Sequence, residues 1–355
     1  MNTLQKLQQK RRRSRMLIII LAVLVVAVAA GCLFVGSSNM TMVDGIRGLL
    51  GKGTDAQNRI IRNIRLPRVL AAVIAGAGLS VAGLVMQTTL NNGMASPSTL
   101  GVSNAAVFGA NLSIIAFAGG FLATGNNPQN FDLGANPYAT SVMAFIFAAV
   151  SVLLILGLCT IRSFSPNVVV LAGMAISAVW TAATTILQFY ATDVGLSAAV
   201  VWSFGDLGRA TYRTDLIMAA VVAAGIVFFG LMSWKYNALL SGEATARTMG
   251  IHVAGLRFAT LLLASVITAV CVSFLGVIGF VGIICPHVTK KILGQDHRFT
   301  IPVSCLAGSL LLLLADTFSR SMGSGSVLPV GAITSLLGAP FFIAIIFSRK
   351  ENHRC

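Results

Sequence analysis

Ten long apolar segments, separated by short polar connections, follow one another along this sequence. A helix that crosses a bilayer needs about 20 mostly apolar residues and satisfies its own backbone hydrogen bonds in lipid. We therefore expect an all-α integral membrane protein with about ten transmembrane helices. The eighth segment is the shortest, and the ten cover approximately residues 16–35, 66–90, 98–120, 138–160, 167–190, 214–233, 257–276, 278–291, 301–319 and 328–347.

The composition agrees with a membrane protein. Of the 355 residues, 56% are hydrophobic and only 10% are charged, whereas about a quarter of the residues in average soluble domains are charged. In a soluble protein the net charge of +15 would suggest nucleic acid, but membrane proteins concentrate Lys and Arg in cytoplasmic loops. We expect no nucleic-acid partner. The six cysteines have no metal-ligand spacing, so we expect neither a metal site nor disulfides.

The charge distribution predicts which side of the membrane each end occupies. The basic cluster 10–15 precedes the first apolar segment and indicates a cytoplasmic N-terminus. Residues 29–32 resemble a lipoprotein cleavage site, but the apolar run is long enough to span, so we interpret it as an uncleaved helix. Ten crossings return the C-terminus to the cytoplasm and put 16 of the 25 Lys and Arg residues inside. The predicted organisation is a cytoplasmic N-terminus (1–15), one transmembrane domain (16–347) and a cytoplasmic tail (348–355).

The middle of each predicted span lacks Lys, Arg, Asp and Glu. Charges there usually mark ion pathways, so the sequence disfavours an ion-coupled secondary transporter, and energy for transport must come from elsewhere. The segment 48–54 resembles a phosphate-binding loop but lacks the GxxxxGK[ST] pattern, and no catalytic constellation indicates a membrane enzyme. A membrane scaffold or receptor without transport activity is the second alternative.

Immediately before the second apolar segment, every third residue is an arginine: Arg59, Arg62, Arg65 and Arg68. The predicted topology puts them at the outer mouth, where the positive-inside rule does not explain them. Arginine pairs bidentately with carboxylates, so an acidic docking partner is one interpretation, and contact with lipid phosphates is the other. Arg320 ends the ninth span on the same side, and Asp316 can pair with it at i,i+4 spacing.

A polar stretch between the sixth and seventh spans predicts a short amphipathic helix at the cytoplasmic surface. Ser241 can cap this helix, Glu243 lies in its first turn and Gly250 can end it. Such a helix is suited to docking in a groove of another protein, and an ordinary loop is the alternative.

Gly276, Gly279 and Gly282 follow at three-residue spacing. In a helix this spacing places them on one face. Because small residues let membrane helices approach closely, the three glycines predict a smooth face for tight packing.

Several motifs occur in the order of one known family. They are Arg65-Leu66-Pro67-Arg68, Leu100-Gly101-Val102-Ser103, Gly242 to Gly250, Gly276 to His287, Leu314-Ala315-Asp316 with Arg320, and Leu328-Pro329-Val330-Gly331 to Phe341. Through these stretches the chain resembles the FecCD/BtuC-type permeases, which serve ABC importers for iron-siderophore, haem and cobalamin ligands. The resemblance extends over roughly residues 60–347.

The resemblance implies the BtuC-like, type II ABC importer fold, with ten transmembrane helices in each of two permease subunits. The second subunit would be another copy of this chain or a paralogue, and a cytoplasmic ABC ATPase dimer would bind ATP and Mg²⁺. An extracytoplasmic binding protein would deliver a chelate for import across the bacterial cytoplasmic membrane. A ferric siderophore is the first expectation, ahead of haem and cobalamin. This chain itself would bind no cofactor and hydrolyse no ATP.

The resemblance also implies roles for individual residues. Binding-protein docking falls on the outer arginines Arg65, Arg68 and Arg320, with Arg62 in the same series. ATPase coupling falls on the helices at about 238–254, where the candidate contacts are Glu243, Ala246, Arg247 and Gly250.

Two loops correspond to the family's cytoplasmic gates. The first is 92–97, in which Asn92 and Met94 are the candidates and Gly93 replaces the usual proline. The second, between the fourth and fifth spans, contains Ser163 and Ser165. The outer insert 119–137 is longer than the family usually needs and would adapt the interface with the binding protein.

Overall fold

The computed structural model describes residues 3–35, 42–118, 138–161, 165–322 and 327–348. The outer insert 119–137, the candidate gate residue Ser163 and the tail from residue 349 lie outside the described residues. The regular elements within the described ranges are helical. In chain order they are α1 (Thr3–Cys32), α2 (Met42–Leu49), α3 (Asp55–Arg59), α4 (Leu66–Thr89), α5 (Val102–Leu112), α6 (Ala139–Ile161), α7 (Pro166–Phe189), α8 (Asp193–Ser203), α9 (Tyr212–Leu231), α10 (Ser233–Leu240), α11 (Glu243–Thr248), α12 (Val253–Leu275), α13 (Val281–Leu293), α14 (His297–Met322) and α15 (Val330–Ser348).

Each predicted span coincides with a helix, and the ten are α1, α4, α5, α6, α7, α9, α12, α13, α14 and α15. Among the described residues, seven helical stretches are long and apolar enough to cross a membrane, and the shorter helices α5, α13 and α15 lie at the three remaining predicted spans. Two π-helical turns, Ile60–Arg65 and Ser113–Phe117, extend α4 and α5 at the same end of the bundle. The all-α membrane fold is therefore confirmed. Helix α8 was not predicted, because its 11 residues are too short to cross a bilayer.

Helix α4 lies at the centre of the bundle and packs against α9, α12, α13 and α14. Glycines bring its backbone directly against two of these neighbours. A Cβ added at Gly76 would lie 2.4 Å from the carbonyl oxygen of Gly308 in α14, and one at Gly83 would lie 1.8 Å from that of Gly282 in α13. Small residues thus provide the close packing on which membrane helices rely for association.

The predicted glycine face is wrong for two of its three members. Helix α12 ends just before Gly276, which has φ +78°, and Phe280 has φ +64°, so the chain leaves the helix between α12 and α13. A side chain at Gly276 would also meet the carbonyl oxygen of Trp202 at 2.7 Å. Gly276 therefore provides a turn and Gly279 lies in the same break, whereas Gly282 packs in a helix as expected.

Helices α4 and α14 pack antiparallel and define the two ends of the bundle. At one end, Arg68 in the first turn of α4 pairs with Asp316 near the end of α14. At the other end, Thr88 near the end of α4 hydrogen-bonds with His297, the first residue of α14. We call these the Arg68 end and the His297 end.

Candidate functional site

Asp316 holds two arginines together at the Arg68 end. Its Oδ1 accepts a hydrogen bond from Nε of Arg68 at 2.6 Å, and its Oδ2 lies 3.0 Å from Nε of Arg320. The Asp316 side chain is only 1% exposed, so the arginines rather than water compensate its charge. The Asp316–Arg320 pair predicted from the i,i+4 spacing is confirmed, and Arg68 joins it from another helix.

A second carboxylate, Asp206, connects this ion cluster to the turn before α9. Its Oδ1 lies 3.4 Å from Nη2 of Arg68 and accepts a hydrogen bond from the backbone N–H of Gly208 at 2.8 Å. The backbone N–H of Asp206 donates to the carbonyl oxygen of Leu275, the last residue of α12. Arg68 therefore ties together α4, α14 and the end of α12.

The neighbouring arginines bind the carbonyl groups at the end of α1. Nη1 of Arg65 donates to the Leu33 oxygen at 2.9 Å, and Arg320 donates to the oxygens of Val35 at 2.8 Å and Cys32 at 3.2 Å. The Cys32 oxygen belongs to the last residue of α1, where carbonyls have no partner within the helix and a nearby cation is favourable, and Leu33 and Val35 follow it. These bonds fasten α1 to α4 and α14.

Three of the four predicted docking arginines consequently lie inside the protein. Arg65, Arg68 and Arg320 are buried, whereas Arg62 is exposed and donates to the Leu49 carbonyl oxygen at 2.8 Å. All four lie at the Arg68 end of the bundle, and three of the four side chains are below the surface there. The spacing of the arginines could not reveal Asp316, which is 248 positions from Arg68. The docking role itself stays a prediction.

Exposed basic side chains lie on segments that meet at Arg62. The Tyr212 hydroxyl donates to the Arg62 carbonyl oxygen, which brings the start of α9 beside the π-helical turn before α4. The guanidinium group of Arg62 also lies against the backbone of Gly51. The resulting basic surface consists of Arg47, Lys52, Arg59, Arg62 and Arg213, all of them exposed.

Two short helices, α10 and α11, cover the His297 end. Helix α11 begins after Gly242, whose φ is +107°, and its N-cap makes no side-chain hydrogen bond, so the predicted cap at Ser241 is wrong. Gly250, with φ +78°, follows its end as predicted. Ala246 is buried beneath the helix, whereas the Arg247 side chain is 71% exposed. The predicted coupling region 238–254 therefore contains the end of α10, all of α11 and the first residues of α12.

Glu243 turns inward from α11 and pairs with Arg257 of α12. Nε of Arg257 also donates to the carbonyl oxygen of Thr89, the last residue of α4, at 3.1 Å. Arg257 is 4% exposed, whereas the Glu243 side chain is 41% exposed. The sequence alone assigns no role to Arg257, because its partner Thr89 is 168 positions away.

A second polar chain reaches the neighbouring residue of α4. The Thr88 hydroxyl and Nε2 of His297 are 2.9 Å apart, and Nδ1 of His297 lies 3.0 Å from Oδ1 of Asn237 in α10. The side-chain amide of Asn237 donates to Asp296 at 2.8 Å. His297 is buried. These contacts join the surface helix α10 to the end of α4.

The first predicted gate loop follows α4 directly at this end. Asn91 has φ +45°, and the Oδ1 atom of Asn92 accepts a hydrogen bond from the backbone N–H of Met94 at 2.9 Å. This local bond gives the loop a defined turn although Gly93 stands in place of proline. The Met94 side chain is 54% exposed.

Two cavities separate this loop from α7. One, of about 440 Å³, lies between Asn92 and the first residues of α7, Pro166 and Asn167. The other, of about 430 Å³, is largely apolar and includes Met94 and Phe280 in its lining. Ser165 immediately precedes α7, so this described part of the second predicted gate loop adjoins the same space as the first.

The comparisons with known proteins agree with this architecture. The sequence matches the FecCD transport family over residues 17–348. The chain belongs to this family. A relative from Methanocaldococcus jannaschii, named as an ABC transporter permease, is 45% identical over 321 residues, which is 90% of each chain. The hemin transport system permease of Yersinia pestis is 34% identical over 322 residues, 90% of this chain and 93% of its own.

One solved structure is also similar to this chain. It is an inward-facing transporter described as a metal-chelate type ABC transporter, with a TM-score of 0.78 and 26% identity, and the match covers 94% of this chain and 99% of the other. As a FecCD protein, this chain is the multi-pass membrane permease of an ABC transporter and not its ATPase. An ABC permease of this kind works with a second permease subunit and an ATPase.

Proposed function

We propose that this chain is the permease subunit of an importer that moves a ferric siderophore inward across the cytoplasmic membrane. The observation that carries the proposal is the FecCD match over residues 17–348. The solved relative of metal-chelate type supports a chelated metal as cargo. Haem is the second candidate, because the Yersinia pestis relative is named for hemin. Cobalamin is the third, because a relative from Halobacterium salinarum is named for cobalamin import.

The chemistry of the cavities supports a preassembled chelate over a free metal ion. The linings of both cavities beside the gate loop are free of charged side chains. Within the described ranges, no three His, Cys, Asp or Glu side chains are grouped so that they could hold a metal ion. A free transition metal needs several such ligands, whereas a chelate brings its own.

In the proposed orientation, both termini and the His297 end are cytoplasmic, and the Arg68 end faces outward. A loaded binding protein with acidic side chains docks on the basic surface, in which Arg62 is the exposed member of the predicted set. The buried Arg65, Arg68 and Arg320 hold α1, α4 and α14 beneath that surface. These three arginines contribute to docking by fixing the shape of the basic surface above them.

The ATPase dimer, with ATP and Mg²⁺, docks at the opposite end on α11. Arg247 is the exposed contact there, Gly250 ends the helix, and Ala246 and Glu243 fix it to the bundle. ATP-driven closure of the dimer alternately opens and closes the pathway at Asn92 and Met94 and at the loop that contains Ser163 and Ser165. The second permease subunit is another copy or a paralogue and completes the pathway.

The test is transport by the reconstituted complex. The chain is assembled with its ATPase in proteoliposomes, the loaded binding protein is added outside, and uptake of a ⁵⁵Fe-siderophore, haem and cobalamin is compared with and without ATP. We expect ATP-dependent uptake of the siderophore. Uptake of haem or cobalamin alone would show that the proposed cargo is wrong. Uptake that does not depend on ATP would contradict the importer mechanism.

A further inference from the structure

Two polar chains begin on the surface helices α10 and α11 and end on adjacent residues of α4. One passes from Glu243 through Arg257 to Thr89, and the other passes from Asn237 through His297 to Thr88. Thr88 and Thr89 are the last two residues of α4, and the gate loop 92–97 follows within three residues. The surface helices and the gate loop are therefore linked by side chains as well as by the backbone.

Arg257 is held by groups on two different helices. The carbonyl groups of the last helical turn lack partners within the helix, and a cation beside them is favoured by the helix dipole. The buried Arg257 supplies that cation: its Nε binds the Thr89 carbonyl, and its Nη2 binds the Glu243 carboxylate. A guanidinium group can bind both at once because its donors form a rigid planar fork.

Thr89 and Glu243, which both bind Arg257, differ in their surroundings. Thr89 is buried, whereas Glu243 belongs to a six-residue helix whose remaining charged side chain, Arg247, is exposed. A displacement of α11 therefore moves the Glu243 carboxylate relative to the buried Thr89 carbonyl. A buried arginine that loses its carboxylate is strongly destabilised, so the guanidinium group follows Glu243. It then either pulls the Thr89 carbonyl with it or breaks its hydrogen bond to that carbonyl.

We propose that Arg257 is a positioning residue that transmits movement of α11 to the gate loop 92–97 through the Thr89 carbonyl. The proposal rests on the proposed function, in which α11 contacts the ATPase. The His297 chain acts in parallel and keeps α10 attached to Thr88 when α11 moves. Substitution of a residue that only stabilises the fold would change the amount of assembled complex. Substitution of a transmitting residue changes the gate movement and the amount of cargo transported per ATP hydrolysed.

The first experiment measures gate movement without any cargo. Met94→Cys is introduced at the exposed gate position, and its thiol labelling in the assembled permease–ATPase complex is compared with and without ATP plus vanadate, with the parent chain as the labelling background. We expect a nucleotide-dependent change in labelling rate that Arg257→Gln reduces at least tenfold and Arg257→Lys retains in part. Arg298→Gln, an exposed arginine at the same end, is the matched control.

The second experiment tests whether Glu243 and Arg257 act as one unit. Glu243→Gln, Arg257→Gln and the double variant are compared by transport per ATP hydrolysed. Residues on one route give non-additive effects, so the double variant should lose no more than Arg257→Gln alone. Independent, additive losses would overturn the proposal, as would a full gate response in Arg257→Gln.

Two complications, a variant that does not assemble and a complex that transports none of the chelates, still allow a decision. If Arg257→Gln does not assemble, Arg257→Lys and Glu243→Gln decide, and a full gate response in both overturns the proposal. If the wild-type complex transports none of the chelates but its Met94→Cys labelling responds to nucleotide, the cargo proposal fails while the role of Arg257 is still tested. The two hypotheses thus fail in different ways.

Discussion

Arg68 and Asp316 are 248 positions apart in the sequence, yet Nε of Arg68 lies 2.6 Å from Oδ1 of Asp316 inside the protein. This contact joins the first turn of α4 to the end of α14. Arg320 completes the arrangement on the other carboxylate oxygen. A pair of arginines that resembles a docking surface in the sequence is therefore part of the interior in the folded protein.

Asp316→Asn should strongly destabilise the permease. It removes the carboxylate from between two buried arginines, and removal of one partner from a buried ion pair costs about 3–5 kcal/mol. The measurement is thermal unfolding of the detergent-solubilised chain. Asp55→Asn, at an exposed position in the first turn of α3, is the control and should cost less than about 1 kcal/mol. Equal melting temperatures for the two variants would contradict the burial of this cluster.

Gly83→Ala should prevent the close approach of α4 and α13. The added Cβ would lie 1.8 Å from the Gly282 carbonyl oxygen, so one backbone must move. Overpacking of a tight core costs about 1–3 kcal/mol, and we expect lower thermal stability and less assembled complex. In the control Gly157→Ala, the new methyl group has no neighbour within 4 Å. Because alanine favours helices by about 1 kcal/mol over glycine, this variant should be neutral or more stable.

Arg59→Glu and Arg62→Glu should weaken docking of the binding protein without unfolding the permease. Both side chains are exposed, unlike Arg65, Arg68 and Arg320, whose reversal would break the interior. We expect binding-protein-stimulated ATPase activity to fall several-fold, and the remaining stimulation to depend less on salt, because exposed charge interactions are screened. Arg298→Glu, exposed at the His297 end, should leave the stimulation unchanged. Full stimulation in the double reversal would exclude this surface.

Arg247→Ala should reduce binding of the ATPase. Arg247 lies 3.8 Å from Glu243 within α11, but both side chains reach solvent, and such an exposed i,i+4 pair contributes only about 0.3–0.5 kcal/mol. The fold should therefore survive, and a loss of co-purified ATPase would come from a missing contact between subunits. Lys235→Ala, on α10, is the matched control. Unchanged co-purification would show that Arg247 does not contribute to the interface with the ATPase.

Local residue patterns predicted much of this protein. The apolar segments predicted ten helices that the structure contains, and Gly250 correctly marked the end of α11. These features depend on residues close together in the chain. Predictions that assumed a local partner were less successful, since Ser241 does not cap α11 and Gly276 and Gly279 form a turn instead of a helix face.

The sequence by itself determined that the chain forms membrane helices, because burying about 20 apolar residues in lipid requires a helix whatever the neighbours are. Its ordered motifs also determined the family. Only the tertiary structure decided which arginines are interior and that Arg257 lies between Glu243 and Thr89. The physical reason is that a charge is buried only where another helix brings a compensating group, and that partner is set by packing between distant segments.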